Sequence, residues 1–532
     1  MKCLLRYNVA WPILAGSVLL LCGCMKAGPD YVRPEIAVSS QWLEAKDERV
    51  QSTPAQCHAW WEAFGDPVLN QIIQQAYQEN LTLKIAGVRV LEARAQLGIA
   101  VGELYPQTQQ ADGALTFNRT GDRSSQAARG QTGGTQLSYW QDAVHLSAAW
   151  EVDFWGKFRR AIESADAGLK ASVADYDSAL VSLTADAAAA YIQLRTLQRR
   201  IDIARQNIAT QRESLQIAEA RFKAGATSER DVAQARTVLF NTQATLPILE
   251  GQLQQAKNVL SVLLGAPPSE NLSQTLQGAG EIPVPPMQVA VGIPADLLRR
   301  RPDVRSAELR AMAQSAQIGV AKAELLPAFT LTGSIGFVSN TLGSFALSDI
   351  ARSSALTAAT GPSFRWDILN YGRITNNVRL QDARFQDLLI SYQNTVLQAQ
   401  QEVEDSLAGF LRAQENTEYL AQSAEAAKRS LDLATIQYQQ GSTDFTTVLT
   451  SQQSLLTAQD SLASALGSIS SNLVGVYRAL GGGWEIREGQ DLVSPDIKQA
   501  MAKRTHWGKL LSPAVYMPRD GRSESPIPPP DW

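Results

Sequence analysis

Apolar positions follow two spacings along this chain, and the order in which the spacings alternate occurs twice. Helical spacing without proline runs from about Lys157 to Ala224 and from about Arg373 to Gln440, each stretch holding one internal glycine, Gly168 and Gly409. At 1.5 Å per residue, each stretch predicts a helix on the order of 100 Å long. Such helices exceed a globular domain and suit a coiled-coil or helical-barrel wall. Returning helices are expected at about Ser228 to Leu264 and Thr443 to Leu480, with a local kink at Pro247. Helices at about Pro67 to Gly102 and Pro302 to Ala323 would complete the length end to end.

Between these helices the period switches to two. Val144, Leu146, Ala148, Trp150, Val152 and Phe154 share one face, with His145, Ser147, Glu151 and Asp153 on the other. Phe329, Leu331, Ile335 and Phe337 alternate with Thr330, Thr332, Ser334 and Gly336. Leu356, Ala358, Phe364, Trp366 and Ile368 do the same with Arg365 and Asp367 opposite, and Pro106 to Phe117 is a weaker fourth case. Four strands of this kind match a membrane barrel with a wet lumen. A half-buried soluble sheet alternates the same way. In the membrane reading, Asn118 to Tyr139 and Ser339 to Ser353 are outer loops, and Phe154, Trp155 and Trp366 to Tyr371 form the periplasmic aromatic girdle. Four strands cannot close, and an open edge in lipid leaves backbone groups unsatisfied. Several chains are then required. Eight strands leave a side-chain-filled interior and twelve leave a passage, which favours a homotrimer.

Laid on itself, the sequence matches at a shift of 216, Gly441 less Gly225. Ser214 and Leu215 pair with Ser430 and Leu431, Ala218 with Ala434, Phe222 with Tyr438, Thr227 with Thr443 and Val232 with Val448. Upstream the shift is 221: Gln96, Gly98, Ala100, Glu103, Leu104 and Pro106 match Gln317, Gly319, Ala321, Glu324, Leu325 and Pro327. Ala/Gln-rich helices can align by composition alone, but matched glycines and prolines argue for duplication. The fold class that follows is mainly α with a membrane β-barrel, built from a duplicated helix-strand-strand-helix-helix unit.

Composition narrows the function. The 532 residues carry a formal charge of −4 with basic and acidic residues interspersed, so there is no footprint for nucleic acid. Lys2 and Arg6, an apolar run from Val9 to Leu21, and Leu21-Cys22-Gly23-Cys24 have the layout of a secretory signal cleaved after Gly23. The alternative is an uncleaved anchor helix. In the lipoprotein reading the Cys24 thiol carries lipid, at about 0.8 kcal/mol per buried CH₂, and Met25 after it favours sorting to the outer membrane. Cys3 and Cys22 leave with the signal, so Cys57 has no partner for a disulfide. No apolar stretch of 18 residues follows the signal, so any span must be made of strands. His58, His145 and His506 are scattered, and no metal spacing, phosphate loop or nucleophile elbow occurs. The chain reads as no enzyme, with no cofactor beyond the covalent lipid on Cys24.

The segment Ile293 to Glu308, IPADLLRRRPDVRSAE, resembles the hallmark of the outer-membrane efflux protein family. Locally, Pro302, Asp303 and Glu308 read as a helix start, with the arginines as an anion site the lesser reading. Other pieces are similar in the same order: Gly28 to Pro34 after Cys24, Trp60-Trp61 with Phe64 to Pro67, Trp150 to Gly156, and Gly319 to Pro327. They cover roughly residues 24 to 484 and resemble the TolC-like outer-membrane factors, in the lipoprotein branch that includes OprM and NodT.

The resemblance implies a homotrimer with a twelve-stranded barrel and a helical barrel crossing the periplasm. Its tip would meet a periplasmic adaptor and an inner-membrane transporter, often of the resistance-nodulation-division (RND) type. The tips fall at Gly225 and Gly441, where glycine supplies φ > 0. By the same resemblance Tyr438 bonds Asp231 as a latch, against the plainer reading of a solvated tyrosine and a helix-start aspartate. The family's acidic ring has no counterpart, because Thr447 and Thr450 stand there. The constriction is therefore expected to be hydroxyl-lined, with Asp444 the nearest carboxylate.

The expected domains are a signal at 1–23, a lipidated extension at 24–66, repeats at 67–290 and 291–484, and an extended or disordered tail at 485–532. The function expected is a passive exit duct for drugs or other toxic small molecules. A protein-secretion duct and a non-channel periplasmic lipoprotein are the alternatives.

Overall fold

The computed structural model describes residues 26–53, 58–120, 137–268, 281–292, 294–295, 300–341 and 346–512. Cys24, Cys57, the signal and the tail beyond 512 lie outside the described residues. After a short strand β1 (Val50–Gln51) come α1 (Pro67–Glu79), α2 (Leu81–Gly102), β2 (Thr108–Thr120), β3 (Leu137–Glu151), α3 (Lys157–Lys223) and α4 (Glu229–Leu263). A second short strand, β4 (Val289–Ala290), precedes α5 (Pro302–Ala323), β5 (Ala328–Asn340), β6 (Leu356–Arg365), α6 (Arg373–Gln439), α7 (Phe445–Ala479) and α8 (Pro495–Arg504). No described helix is long and apolar enough to cross a membrane.

The long helices α3 and α6 have 67 residues each and their return helices 35. α3 packs on α2, α4, α5 and α7, and α6 packs on α5 and α7. The result is a wall four helices wide at two levels, with α2 and α4 along one edge and α6 along the other. The shorter helices do stack end to end. Asn80 breaks the expected helix from Pro67 to Gly102: its side chain caps the Leu83 amide at 2.9 Å and donates to Leu263 O at 2.9 Å, joining the end of α4 to the start of α2. In the second repeat Arg301 makes the same joint. It is buried, donates to Ala479 O at the end of α7 at 2.7 Å, and pairs with Asp303 and Glu402 at the start of α5 and along α6. Engaged in this way, Arg301 is a structural tie rather than an anion site.

The four longer strands form one antiparallel sheet in the order β2-β3-β5-β6, leaving β2 and β6 as open edges. The register puts Phe117, Trp140 and Thr341 at one end of a common face, then Leu115, Gly113 with Val144, Phe337 and Leu356, and Ala111 with Leu146, Ile335 and Ala358. Asp112, His145, Gly336 and Thr357 occupy the opposite, polar face. β2 and β3 run further than the apolar alternation predicts, to Thr120 and from Leu137, because ladder hydrogen bonds need no apolar side chain. Conversely, Val152 to Phe154, Trp366 and Ile368 lie past the strand ends and belong to the connections into α3 and α6.

Residues 26–53 form a strap. Ala27 N donates to Trp155 O, Arg160 pairs with Asp30 at 2.7 Å, and Arg33 pairs with Glu308. Further on, Leu43 N meets Glu404, Arg49 meets Glu415, and β1 pairs in parallel with β4. The core beneath is centred on Trp60, stacked on Tyr477 at 5.3 Å, with Leu180, Tyr191 and Leu473.

The tail expectation is corrected for residues 485–512. Arg487 forms a buried ion pair with Asp177, and Leu492, Val493 and Met501 are buried, the last two against Leu91 of α2. The anchoring residues are too few and too scattered in a polar segment to give a periodic signal.

Candidate functional site

The candidate site is the pair of helix reversals at the far end of the wall from the sheet. Gly225 takes φ 72° and Gly441 φ 73°, a conformation costing an L side chain about 1 kcal/mol. Both reversals carry the same double bond: Ala226 N to Arg221 O with Gly225 N to Phe222 O, and Ser442 N to Gln437 O with Gly441 N to Tyr438 O. The two hairpins then share a small core of their own. Ala218, Val232, Ala235 and Val238 come from the first, and Leu431, Ala434, Tyr438, Phe445, Val448 and Leu449 from the second. Above it, Gln452 donates to Ser214 Oγ at 2.6 Å, and Gln211, one turn earlier on α3, is buried as well, so polar side chains interrupt the apolar packing of the wall.

Tyr438 and Asp231 are not joined. Tyr438 is 7% exposed and its hydroxyl has no hydrogen-bond partner. Its ring lies under the Arg221 guanidinium at 4.4 Å and against Phe445 at 5.0 Å. Asp231 instead accepts from Thr227 Oγ1 and lies 3.8 Å from Arg230, as a first-turn residue of α4 does. The expected latch is therefore absent within the chain. The charged contact between the hairpins is Arg221, which also donates to Tyr438 O at 3.0 Å. Arg221 and Phe445 were missed in the sequence. The only signals were a basic residue four before Gly225 and an aromatic directly after the Asp444 cap.

Asp444 caps α7, accepting from Thr447 N at 3.1 Å and Thr447 Oγ1 at 2.6 Å. The Thr447 hydroxyl and then its amide hold the Asp444 carboxyl below the usual carboxylate range. Thr450 Oγ1 donates to Thr446 O at 2.9 Å, and Thr446 Oγ1 reaches Gln234 of the other hairpin at 3.4 Å. Thr446, Thr447 and Thr450 are all exposed, so this surface offers hydroxyl oxygens and one capped carboxylate. Among the described residues no group of three metal-ligating side chains occurs.

A long helical wall, a sheet apolar on one face and a pair of exposed reversals define a channel subunit of the outer membrane. The chain belongs to the outer membrane efflux protein family, which it matches over residues 72–266 and 293–482. It is 34% identical to nodulation protein T of Rhizobium leguminosarum bv. viciae, over 83% of this chain and 87% of that one. It is 33% identical to the pyoverdine export outer membrane protein OpmQ of Pseudomonas aeruginosa, over 88% of this chain and 96% of that one. The solved structure of the outer-membrane channel OprN matches with a TM-score of 0.79 at 31% identity, covering 86% of this chain and 99% of that one. The protein is an outer-membrane efflux channel and not an enzyme.

Proposed function

We propose that three copies join head to tail, closing the sheets into a twelve-stranded barrel in the outer membrane and the helices into a wall that crosses the periplasm. The assembly is a passive exit duct for drugs or other toxic small molecules. The observation that carries this is the position of the open edges: β2 follows α2 on one side of the chain, and β6 leads into α6 on the other. Backbone groups on both edges need partners in lipid, and unlike edges that meet head to tail close a ring. Exposed apolar residues follow the same two sides, Phe240, Ile248 and Val262 on α4 and Leu380, Ile390 and Leu397 on α6.

In this reading lipid on Cys24 anchors the strap to the outer membrane. Phe154, Trp155 and Trp366 to Tyr371 lie at its inner surface. An inner-membrane transporter of the RND type and a periplasmic adaptor deliver the compound to the tips at Gly225 and Gly441. The constriction is lined by Thr447 and Thr450, with Asp444 as the nearest carboxylate.

The test is deletion of the gene followed by sensitivity to a panel of drugs, dyes and organic acids. Increased sensitivity restored by the intact gene is expected, and unchanged sensitivity across the panel overturns the efflux reading. For the gate, millimolar multivalent cations should block bilayer conductance weakly, and Thr450→Asp should strengthen the block. Strong block of the natural channel, with no gain from Thr450→Asp, overturns the hydroxyl-lined constriction.

A further inference from the structure

The chain contains its own example of the junction it needs with a second copy. Between the repeats β3 runs antiparallel to β5, with Ser147 opposite Ser334, Ala148 opposite Gly333 and Ala149 opposite Thr332. The counterpart of β3 in the second repeat is β6, displaced by 216 as in Trp150 and Trp366 or Gly156 and Gly372. The counterpart of β5 in the first repeat is β2, displaced by 220 as in Gly113 and Gly333 or Phe117 and Phe337. The observed pairing agrees with both displacements: Gly113 faces Val144 on β3, and Gly333 faces Thr360, the counterpart of Val144, on β6. β6 and β2 are the two open edges, and the order of the sheet makes them antiparallel to one another.

We infer that β6 of one copy pairs with β2 of the next in the register of β3 on β5, placing Ser363 opposite Ala114, Phe364 opposite Gly113 and Arg365 opposite Asp112. This rests on the ring of three proposed above and deepens it by assigning which residues meet. The edge residues fit the assignment. The neutral pair Ala149 and Thr332 inside the chain becomes a pair of opposite charge between chains, on the polar face that lines the lumen. Arg365 is exposed, with Asp367 4.0 Å away. Phe364 is 70% exposed and faces Gly113, where nothing lies within 4 Å of an added Cβ, so its ring can lie across the glycine.

The backbone fits as well. In β3 the even positions bond toward β5, as Val152 N to Phe329 O and Thr341 N to Trp140 O show. The even positions of β6 therefore point away from β5. Pro362 stands at one of them, where its missing N–H costs the existing sheet nothing and leaves the new ladder one rung short. Past the strand, Trp155 donates its indole N–H to Pro327 O at 2.8 Å. Its counterpart Tyr371 is 98% exposed, holds φ 48°, and is placed to stand on Pro106 of the next copy, the counterpart of Pro327.

The experiment is disulfide trapping in the full-length lipidated protein carrying Cys57→Ser. Ser363→Cys with Ala114→Cys should give, on oxidation, a ladder ending at three linked chains. Its yield should be about tenfold above Ser363→Cys with Asp112→Cys or with Thr116→Cys, which lie two residues out of register. Better linking of either offset pair overturns the register. So does the absence of any disulfide in a preparation that an amine-reactive cross-linker joins into trimers. If that cross-linker itself finds only single chains, the ring and the register on it both fall. Arg365→Asp should lower the yield of amine-cross-linked trimer severalfold and Asp112→Arg in the same chain should restore it; a double variant no better than the single overturns the ion pair.

Discussion

Removing the Tyr438 hydroxyl should leave the two hairpins joined, whereas removing the Arg221 side chain should part them. In Tyr438→Phe the ring keeps its contacts with Arg221 and Phe445, and a buried hydroxyl without a partner disappears. Relief of that desolvation is worth about 1 kcal/mol, so the variant should be slightly more stable. Arg221→Ala loses the cation over the ring, about 0.5–1 kcal/mol, and a charged hydrogen bond to Tyr438 O, about 1.5 kcal/mol. Together these come to roughly 2 kcal/mol, or a shift of roughly 30-fold between joined and parted hairpins. Single-channel conductance in planar bilayers reads the difference directly, with thermal melting as the stability control. Tyr438→Phe should conduct like the natural protein and Arg221→Ala should dwell far longer in open levels. If Tyr438→Phe opens the channel as widely as Arg221→Ala, the hydroxyl is a latch after all and the reasoning from the ring's surroundings is refuted.

Arg487→Met leaves Asp177, 0% exposed, as an unpaired buried carboxylate and should cost about 3–5 kcal/mol by calorimetry, most of it recovered on adding Asp177→Leu. A single-variant loss under about 1 kcal/mol would show that the tail does not depend on this pair. Hydrogen bonds from the Arg49 side chain, ahead of burial acting the other way, hold the Asp47 carboxyl at about 2. Its folded value is below the unfolded one, so its support of the strap is complete above about pH 4 and is lost as the pH falls toward 2, by no more than about 1 kcal/mol at this partly solvated site. Amide protection factors near Val50 should fall over that window, and flat protection would count against the assignment. Gly319→Ala places a Cβ 2.5 Å from Ala27 O and 2.9 Å from Arg160 Cγ, so protease should reach the strap sooner. Gly98→Ala, at the matching position of the first repeat, meets nothing within 4 Å and should be neutral or gain up to about 1 kcal/mol. Equal effects of the two alanines would sink the strap argument.

The long helices were legible to within a residue because an uninterrupted 3.6 period of 67 residues has no competing reading, and the glycines at 225 and 441 fix their ends. The sheet face was legible where apolar and polar residues alternate clearly, in Val144 to Trp150 and Phe329 to Phe337. It was poorly legible in β2, where Gln109 and Gly113 stand on the apolar face and Ala114 on the polar one, although all thirteen residues pair. Asn80 was hidden because helix-forming residues flank it without a proline or glycine at the break, and only its joint with Leu263 reveals why it is needed. The positions of the tip residues were legible but their partners were not. Whether a tyrosine ring turns toward an aspartate or an arginine depends on packing between two hairpins more than 200 residues apart, a distance over which periodicity carries no information.

Duplication within one chain supplies something that a ring of identical single repeats could not. Six equal repeats would close as many strands as the proposed ring of three, but every junction would then be the same. Here the strap meets the two repeats differently: Gly28 and Gly319 pack backbone to backbone, with a Cβ on Gly28 falling 2.5 Å from Gly319 Cα, while Gly98 stays open and the first repeat is held through Trp155 and Arg160. Only the first repeat has its strand-to-helix connection already seated, through Trp155 on Pro327, while Tyr371 is left exposed. Only the second hairpin carries an aromatic at the Arg221 contact, since the residue matching Tyr438 is Phe222, which is exposed. Each difference sits where one repeat faces the strap, the opposite hairpin or, in the proposed ring, the next copy. The two repeats have therefore become unlike at the surfaces where a junction is made, and remain alike in the helices and strands that only span. In the proposed ring, junctions of unlike strength would let the Arg221 contact between hairpins part while the strand pairing at the other end of the wall holds.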